Sequence, residues 1–439
     1  MQGGVKKELT LFDSTCIIVG IIIGAGIYQM APDIAKGVSS WWAVPLIWIA
    51  GGILSLFGAL GYAELATAYP KEGGDYVYLS RAYGRWAGFS FGWVQLVIVR
   101  PGDIAVMAFA FATYARAIYD PLASMPAVSQ RVFAGAAALI LTIINIIGVK
   151  EGKWTQNLLT TVKALGLLFI AAVAVVSPHR EVTEASFEPI PLSLAFILVL
   201  FTYGGWNEMA YVAAEVKDAK RNIVRALVLG TVSVIVLYLL VNSAFLYTLG
   251  FSGMAASKAV ASDSIATVFP NTGSRLISAL VCISALGAVN GLIFTGARIS
   301  YAMGTDYKAF SLLGRWHQKT GTPVWSLIVQ GAIALGLIMI FGSFINAILY
   351  TAPAVYGFYF ATNLSVIVLR YKEPDVERPY RISGYPVTTI IFCCVCAYLI
   401  YSAVTYSITA SPLSLLILVM ALAAGLLIYR IKSVRQNNQ

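Results

Sequence analysis

The chain has 439 residues, of which 59% are apolar and only 11% charged, and its mean hydropathy is +0.79. Soluble globular proteins carry roughly 25% charged residues, so an ordinary soluble enzyme, a disordered tail and a nucleic-acid binder are all excluded. The formal net charge of +10 reads as the lysines and arginines that membrane proteins keep on their cytoplasmic side, not as a polyanion site.

A helix needs about 20 apolar residues to cross the hydrocarbon core. Windows of that size predict twelve spans, at 13–36, 41–69, 84–117, 130–148, 154–177, 190–214, 223–250, 273–304, 323–342, 344–369, 386–407 and 411–430. These runs lack period-two alternation, which excludes a membrane β-barrel. Lys6 and Lys7 before the first run resemble a signal peptide, but no small-residue cleavage site follows, so the run is expected to be a retained span. With both termini cytoplasmic, 21 of the 30 lysines and arginines fall on the inner side and six on the outer. Three lie within spans: Arg100, Lys163 and Arg298. That asymmetry predicts a multi-pass protein of the cell membrane with both ends inside.

All five cysteines (Cys16, Cys282, Cys393, Cys394, Cys396) lie in apolar stretches and are expected to be small buried residues without disulfides. His179 and His317 fall in predicted loops. No metal or cofactor is therefore expected, and no convergent set of acid, base and nucleophile marks an enzyme.

Glycines cluster in span 1, from Gly20 to Tyr28, and in span 6, from Phe201 to Asn207. Each glycine costs about 1 kcal/mol against alanine inside a helix. The clusters therefore signal either close helix packing or a break. Spans 1 and 6 would each open a five-helix half, 13–177 and 190–369, with 386–430 added after them. Five is odd, so the second half would run inverted, and paired breaks at matching positions would point to the binding site. An unwound stretch frees N–H groups on one side and carbonyls on the other. Two such stretches side by side suit the two poles of a zwitterion, and an α-amino acid is the obvious small one.

At these residues the chain resembles the amino acid–polyamine–organocation superfamily, and most closely its L-type amino acid transporters. The motifs, in order, are Gly24-Ala25-Gly26-Ile27-Tyr28, Tyr62-Ala63-Glu64-Leu65, Gly73-Gly74-Asp75-Tyr76, Arg100-Pro101, Tyr203-Gly204-Gly205-Trp206-Asn207, Val289-Asn290-Gly291 and Glu377-Arg378-Pro379. The short termini fit a bacterial-type member. The resemblance implies an all-α membrane protein of twelve spans, with a five-plus-five inverted repeat of the leucine-transporter-like fold, exchanging amino acids by alternating access. It implies a carboxylate cradle at the backbone of Ala25, Gly26 and Ile27, and an ammonium cradle at Phe201, Thr202 and Gly204. Phe201 resembles the aromatic cap and outer gate. Tyr238 matches a tyrosine close to the site, and Asn290 a span 8 residue near the substrate.

Lys163 lies some ten residues into span 5, where a lysine is expensive and is a functional candidate by default. In sodium-independent relatives such a lysine places its ammonium where sodium binds in their sodium-coupled cousins. Here it would donate to carbonyls freed by the span 1 break and couple to the cycle. Glu64 is expected to pair with a cation near the inner end of span 2. Arg100 and Asp103, three apart, are expected to pair with each other. Glu208 departs from the family pattern, which has an uncharged residue there, and is a candidate for coupling or selectivity. The stretch from Ala117 to Gln130 lacks the cysteine through which animal L-type transporters join a heavy chain, so no disulfide-linked heavy chain is expected.

The expected function is sodium-independent, alternating-access exchange of neutral L-amino acids, the expected partners being the amino acid substrate and the lipid bilayer, with no nucleic acid. The rival is a proton-coupled carrier of cationic amino acids or polyamines, with Glu208 meeting the extra amine.

Overall fold

The computed structural model describes residues 7–71, 73–177, 187–270, 272–341, 344–410 and 412–437. Among them the chain is helical, and β-type pairing is confined to two isolated bridges, Leu9 with Val216 and His317 with Thr322. Ten helices are long and apolar enough to cross a membrane. Two shorter apolar helices, Val324–Ile340 and Leu415–Arg430, lie where spans 9 and 12 are expected. Lys6 and His179 lie outside the described residues.

Local chemistry sets the helix starts. Thr10 caps span 1 by accepting from the Asp13 N–H, while the Asp13 carboxylate accepts from the Thr10 N–H, a reciprocal capping box. Pro126 opens span 4 and Pro412 opens span 12, where the missing N–H costs nothing. Glycine at 74, with φ +47°, turns the chain into a short helix, Asp75–Tyr83, in a segment that the hydropathy pattern alone marks only as a loop.

The expected single run of span 3 divides. Arg85–Val94 and Arg100–Ile118 are joined by one wide turn, Gln95–Val99, in which the Arg100 N–H reaches back five residues to the Gln95 carbonyl. Pro101 explains it: its ring clashes with the carbonyl four residues back and it has no N–H to donate.

Spans 1, 3, 6 and 8 form the interior, and span 3 packs most extensively on span 8. Spans 4, 5 and 7 turn large apolar residues outward, among them Leu139, Ile140, Leu165, Phe169, Val236 and Leu240. In water this belt would be an aggregation hazard; against lipid it is the proper solvent-facing surface. Cys394 corrects one expectation. It is exposed, whereas Cys16, Cys282, Cys393 and Cys396 are buried. The helical period turns 393 and 396 to the interior and leaves 394 facing out.

Around the N-terminus the polar groups interlock. The Leu9 N–H donates to the Glu215 carbonyl at 2.9 Å, and the Lys217 N–H donates to the Leu9 carbonyl at 2.8 Å. Arg298 meets the buried Glu215 carboxylate at 2.7 Å. Glu64 meets Arg370 at 2.6 Å and Arg378 at 3.6 Å, as expected of a carboxylate seeking a cation at that end of span 2. The first contacts tie the start of span 1 to spans 6 and 8, and the Glu64 pairs tie span 2 to the end of span 10 and the segment after it.

Candidate functional site: a cavity between two broken helices

Span 1 is wound from Leu11 to Ile22, and helix resumes only at Gly26. The N–H groups of Ala25, Gly26 and Ile27 make no hydrogen bond among the described residues. Span 6 is wound from Leu192 to Thr202, turns at Gly205 with φ +115°, and continues as a tighter helix from Trp206 to Glu215. Only glycine takes that φ without strain. Beside this turn the Leu200 and Gly204 carbonyl oxygens accept nothing among the described residues. Both glycine clusters are therefore breaks, although close packing accompanies them. A Cβ on Gly26 would sit 3.2 Å from the Thr202 side chain, so the two breaks touch there.

The other carbonyls of the span 1 break are braced by side chains. The Lys163 ammonium, fully buried, donates to the carbonyls of Gly20, of Ile23 at 2.7 Å and of Ser284 at 3.2 Å. Gly287 leaves room for it, since a Cβ there would lie 2.8 Å from Nζ. The Ser284 hydroxyl donates to the Ile23 carbonyl at 3.0 Å or to that of Gly24 at 3.1 Å. The Tyr238 hydroxyl lies 2.8 Å from the Ile22 carbonyl and 3.2 Å from that of Thr202, bridging the two breaks.

Between the breaks lies a cavity of about 810 Å³, counting its mouth. Gly24, Gly26, Phe201, Thr202 and Gly204 line it, with Asp103, Met107, Glu208, Thr351 and Tyr359 from the surrounding spans. Of the residues expected at the substrate, Gly26, Phe201, Thr202 and Gly204 thus come together. Ala25 and Ile27 are fully buried beside the cavity wall and do not line it. Tyr238 is also off the wall, its hydroxyl engaged by main chain. Asn290 points elsewhere: it accepts from Asn145 at 2.8 Å and donates to the Gly152 carbonyl at 3.1 Å and to Gln156 at 3.0 Å. Ala288 and Leu292 are the span 8 residues that reach the cavity.

The charges are arranged differently from the spacing rule. Arg100 pairs with Glu208, Nη1 to Oε1 at 2.8 Å, and not with Asp103. Its Nε donates to Gln95 at 3.0 Å, and its guanidinium lies 4.9 Å from the Tyr211 ring centre. The Gln95 contact draws the guanidinium back toward the start of the helix and away from Asp103. Glu208 also accepts from the Thr295 hydroxyl at 2.6 Å. Asp103 and Thr351 are among the cavity-wall residues that the motifs did not single out. The signal for Asp103 was present, an acid within a span, but Arg100 beside it supplied a ready partner. A smaller cavity adjoins, lined by Asp75, Arg100, Asp103, Asn207, Glu208, Tyr211 and Tyr359 among others. In it Asp75 accepts from the hydroxyls of Tyr62, Tyr211 and Thr362.

Comparison with known proteins agrees with this architecture. The amino acid permease family model matches residues 9–426. The chain is 32% identical over 399 residues to b(0,+)-type amino acid transporter 1 of Mus musculus, covering 88% of this chain and 81% of that one. It is 30% identical over 437 residues to the protein of that name in Rattus norvegicus, covering 97% and 87%. It is 32% identical over 411 residues to the large neutral amino acids transporter small subunit 2 of Rattus norvegicus, covering 89% and 75%. A multi-span helical protein with two broken helices around a common cavity, matched nearly end to end by such relatives, belongs to the amino acid permease family and is an amino acid transporter.

Proposed function

We propose that this transporter exchanges neutral L-amino acids without sodium, by alternating access in the cell membrane with both termini in the cytoplasm. The N–H groups around Gly26 receive the substrate carboxylate, and the carbonyls around Thr202 and Gly204 receive its ammonium. Phe201 covers the bound side chain. The two breaks fall in the first and sixth spans, which supports the five-plus-five inverted repeat, with spans 11 and 12 outside it. It acts as a carrier and not as an enzyme.

The observation that carries the sodium-independent reading is Lys163. Its ammonium already occupies a cage of three carbonyls beside the span 1 break. A monovalent cation would need those same oxygens, so a fixed cation replaces a transported one. Lys163 and Glu208 then act in coupling and gating, each holding one break in register. No disulfide-linked heavy chain is proposed either, because the segment from Ala117 to Gln130 has no cysteine.

Counter-transport in proteoliposomes tests the reading. Internal leucine should exchange for external leucine, alanine or phenylalanine at the same rate in sodium and in choline buffer. Uptake that requires sodium would refute the role of the lysine cage. One observation favours attention to cationic substrates: the cavity wall presents two carboxylates, and its lining contains no lysine, arginine or histidine among the described residues.

A further inference from the structure

On the reading that this cavity holds an α-amino acid, we infer that Asp103 is a specificity-determining residue whose carboxylate receives the side-chain ammonium of a lysine-class amino acid.

The two acids on the wall differ in how they are balanced. Glu208 is neutralised: Arg100 lies 2.8 Å from one oxygen, and the Thr295 hydroxyl lies 2.6 Å from the other. Asp103 takes a hydrogen bond from the neutral Thr351 side chain and makes no ion pair within 4.0 Å among the described residues. Arg100 attracts it from one turn away, but that guanidinium is committed to Glu208 and Gln95. With Asp103 ionised, the three groups together sum to one negative charge, carried by Asp103 on the cavity wall. A carboxylate has about four lone-pair sites, of which one hydroxyl fills only one. Left unmatched within a membrane protein, such a charge is costly. A cationic ligand would balance it.

The position suits a third point of attachment. The α-carboxylate and α-ammonium are assigned to spans 1 and 6. Asp103 comes from span 3 and Thr351 from span 10, so the same cavity offers a separate anionic wall. Val106, Met107, Leu200, Ala352 and Val355 also line it. A four-carbon stem can lie against such an apolar surface while its ammonium reaches the carboxylate. The amine therefore goes to Asp103 and not to Glu208, whose charge is already matched.

The test uses the full chain in proteoliposomes, with exchange of labelled leucine as the readout. Lysine is compared with norleucine, which has a similar stem and no amine, and with putrescine, which has amines and no carboxylate. In the wild type, lysine should compete within roughly tenfold of norleucine. In Asp103→Asn the lysine-to-norleucine preference should fall by roughly tenfold or more, about 1.4 kcal/mol, and Asp103→Glu should restore part of it. Lysine that fails to compete in the wild type, while norleucine competes, overturns the proposal without needing any variant to fold. So does an unchanged preference in Asp103→Asn. Putrescine competing as well as lysine would also overturn it, by making the amine alone sufficient. Norleucine uptake driven by a pH gradient, lost in Asp103→Asn with the lysine preference unmoved, would make the site a proton carrier and overturn it too. If norleucine, leucine and lysine all fail to exchange in the wild type, the neutral amino acid reading falls first and takes this inference with it.

Discussion

Two buried charges stand behind the two broken helices, and they are held in different ways. Lys163, behind span 1, is held by carbonyls of the main chain. Glu208, just after the break in span 6, is held by side chains, Arg100 and Thr295. A main-chain cage exists only while the backbone keeps one conformation. Lys163 therefore reports whether span 1 is in place. A side-chain pair can move as a unit when a helix tilts. The Arg100–Glu208 pair ties span 3 to span 6 and leaves the backbone of span 6 free to offer its carbonyls to a ligand. One break is thus braced by its charge, and the other is left open beside its charge.

The largest effect is expected where the breaks touch. Gly26→Val adds side-chain atoms at a position where even a Cβ lies 3.2 Å from Thr202. Valine cannot yield there without separating the two helices, and it fills the cavity wall that carries the free N–H. Leucine kcat/KM should fall by about 100-fold or more, a loss of about 2.7 kcal/mol. Near-normal affinity in a variant that remains monodisperse in detergent would show that the span 1 backbone is not a binding surface, and the contrast between the breaks would lose its meaning.

Removing the braced charge comes next. Lys163→Ala leaves the Gly20 and Ile23 carbonyls without their ammonium donor, in a place water reaches poorly. Substrate groups are assigned to other atoms, so leucine KM should change by less than about threefold while the exchange rate falls by roughly tenfold or more. Lys163→Arg should not rescue it, because the planar guanidinium is larger than the ammonium that the Gly20, Ile23 and Ser284 carbonyls enclose. A change confined to KM would place Lys163 in substrate binding instead of in the cycle. An unchanged rate would remove its role altogether.

How much of this was legible in the sequence depended on whether local rules governed the residue. The breaks could be read because glycine clusters in long apolar runs are costly without a reason. Lys163 could be read because a lysine at that depth must find acceptors, and an adjacent break supplies them. Glu64 could be read because an acid at a span end seeks a cation. Arg100 could not. Spacing of three residues offers Asp103, but the wide turn before Pro101 brings Gln95 to its Nε, and Glu208 lies 108 positions along the chain. The direction of Asn290 was equally hidden, because Asn145 and Gln156 approach it only after spans 4, 5 and 8 have packed. Rotation of a helix about its own axis is set by its neighbours, and it decides which polar side chains face the cavity.

The smallest net effect is expected from removing both members of the side-chain pair. Arg100→Met leaves Glu208 charged and buried, and Glu208→Gln leaves Arg100 so. Deleting one partner of a buried pair costs about 3–5 kcal/mol, because the remaining charge has no counterion. Each single variant should therefore unfold at clearly lower temperature in detergent than the wild type. The double variant, with both charges gone, should recover much of that loss, since replacing a buried pair by neutral groups is often close to neutral. Recovery in the double variant, with leucine exchange retained, would show that the pair serves to hold span 3 against span 6 and that neither charge is needed by a neutral substrate. Additive losses would mean instead that Arg100 and Glu208 act separately. In that case Glu208 would have to be counted with Asp103 as a free anion of the cavity, and the contrast with Lys163 would be one of charge sign alone.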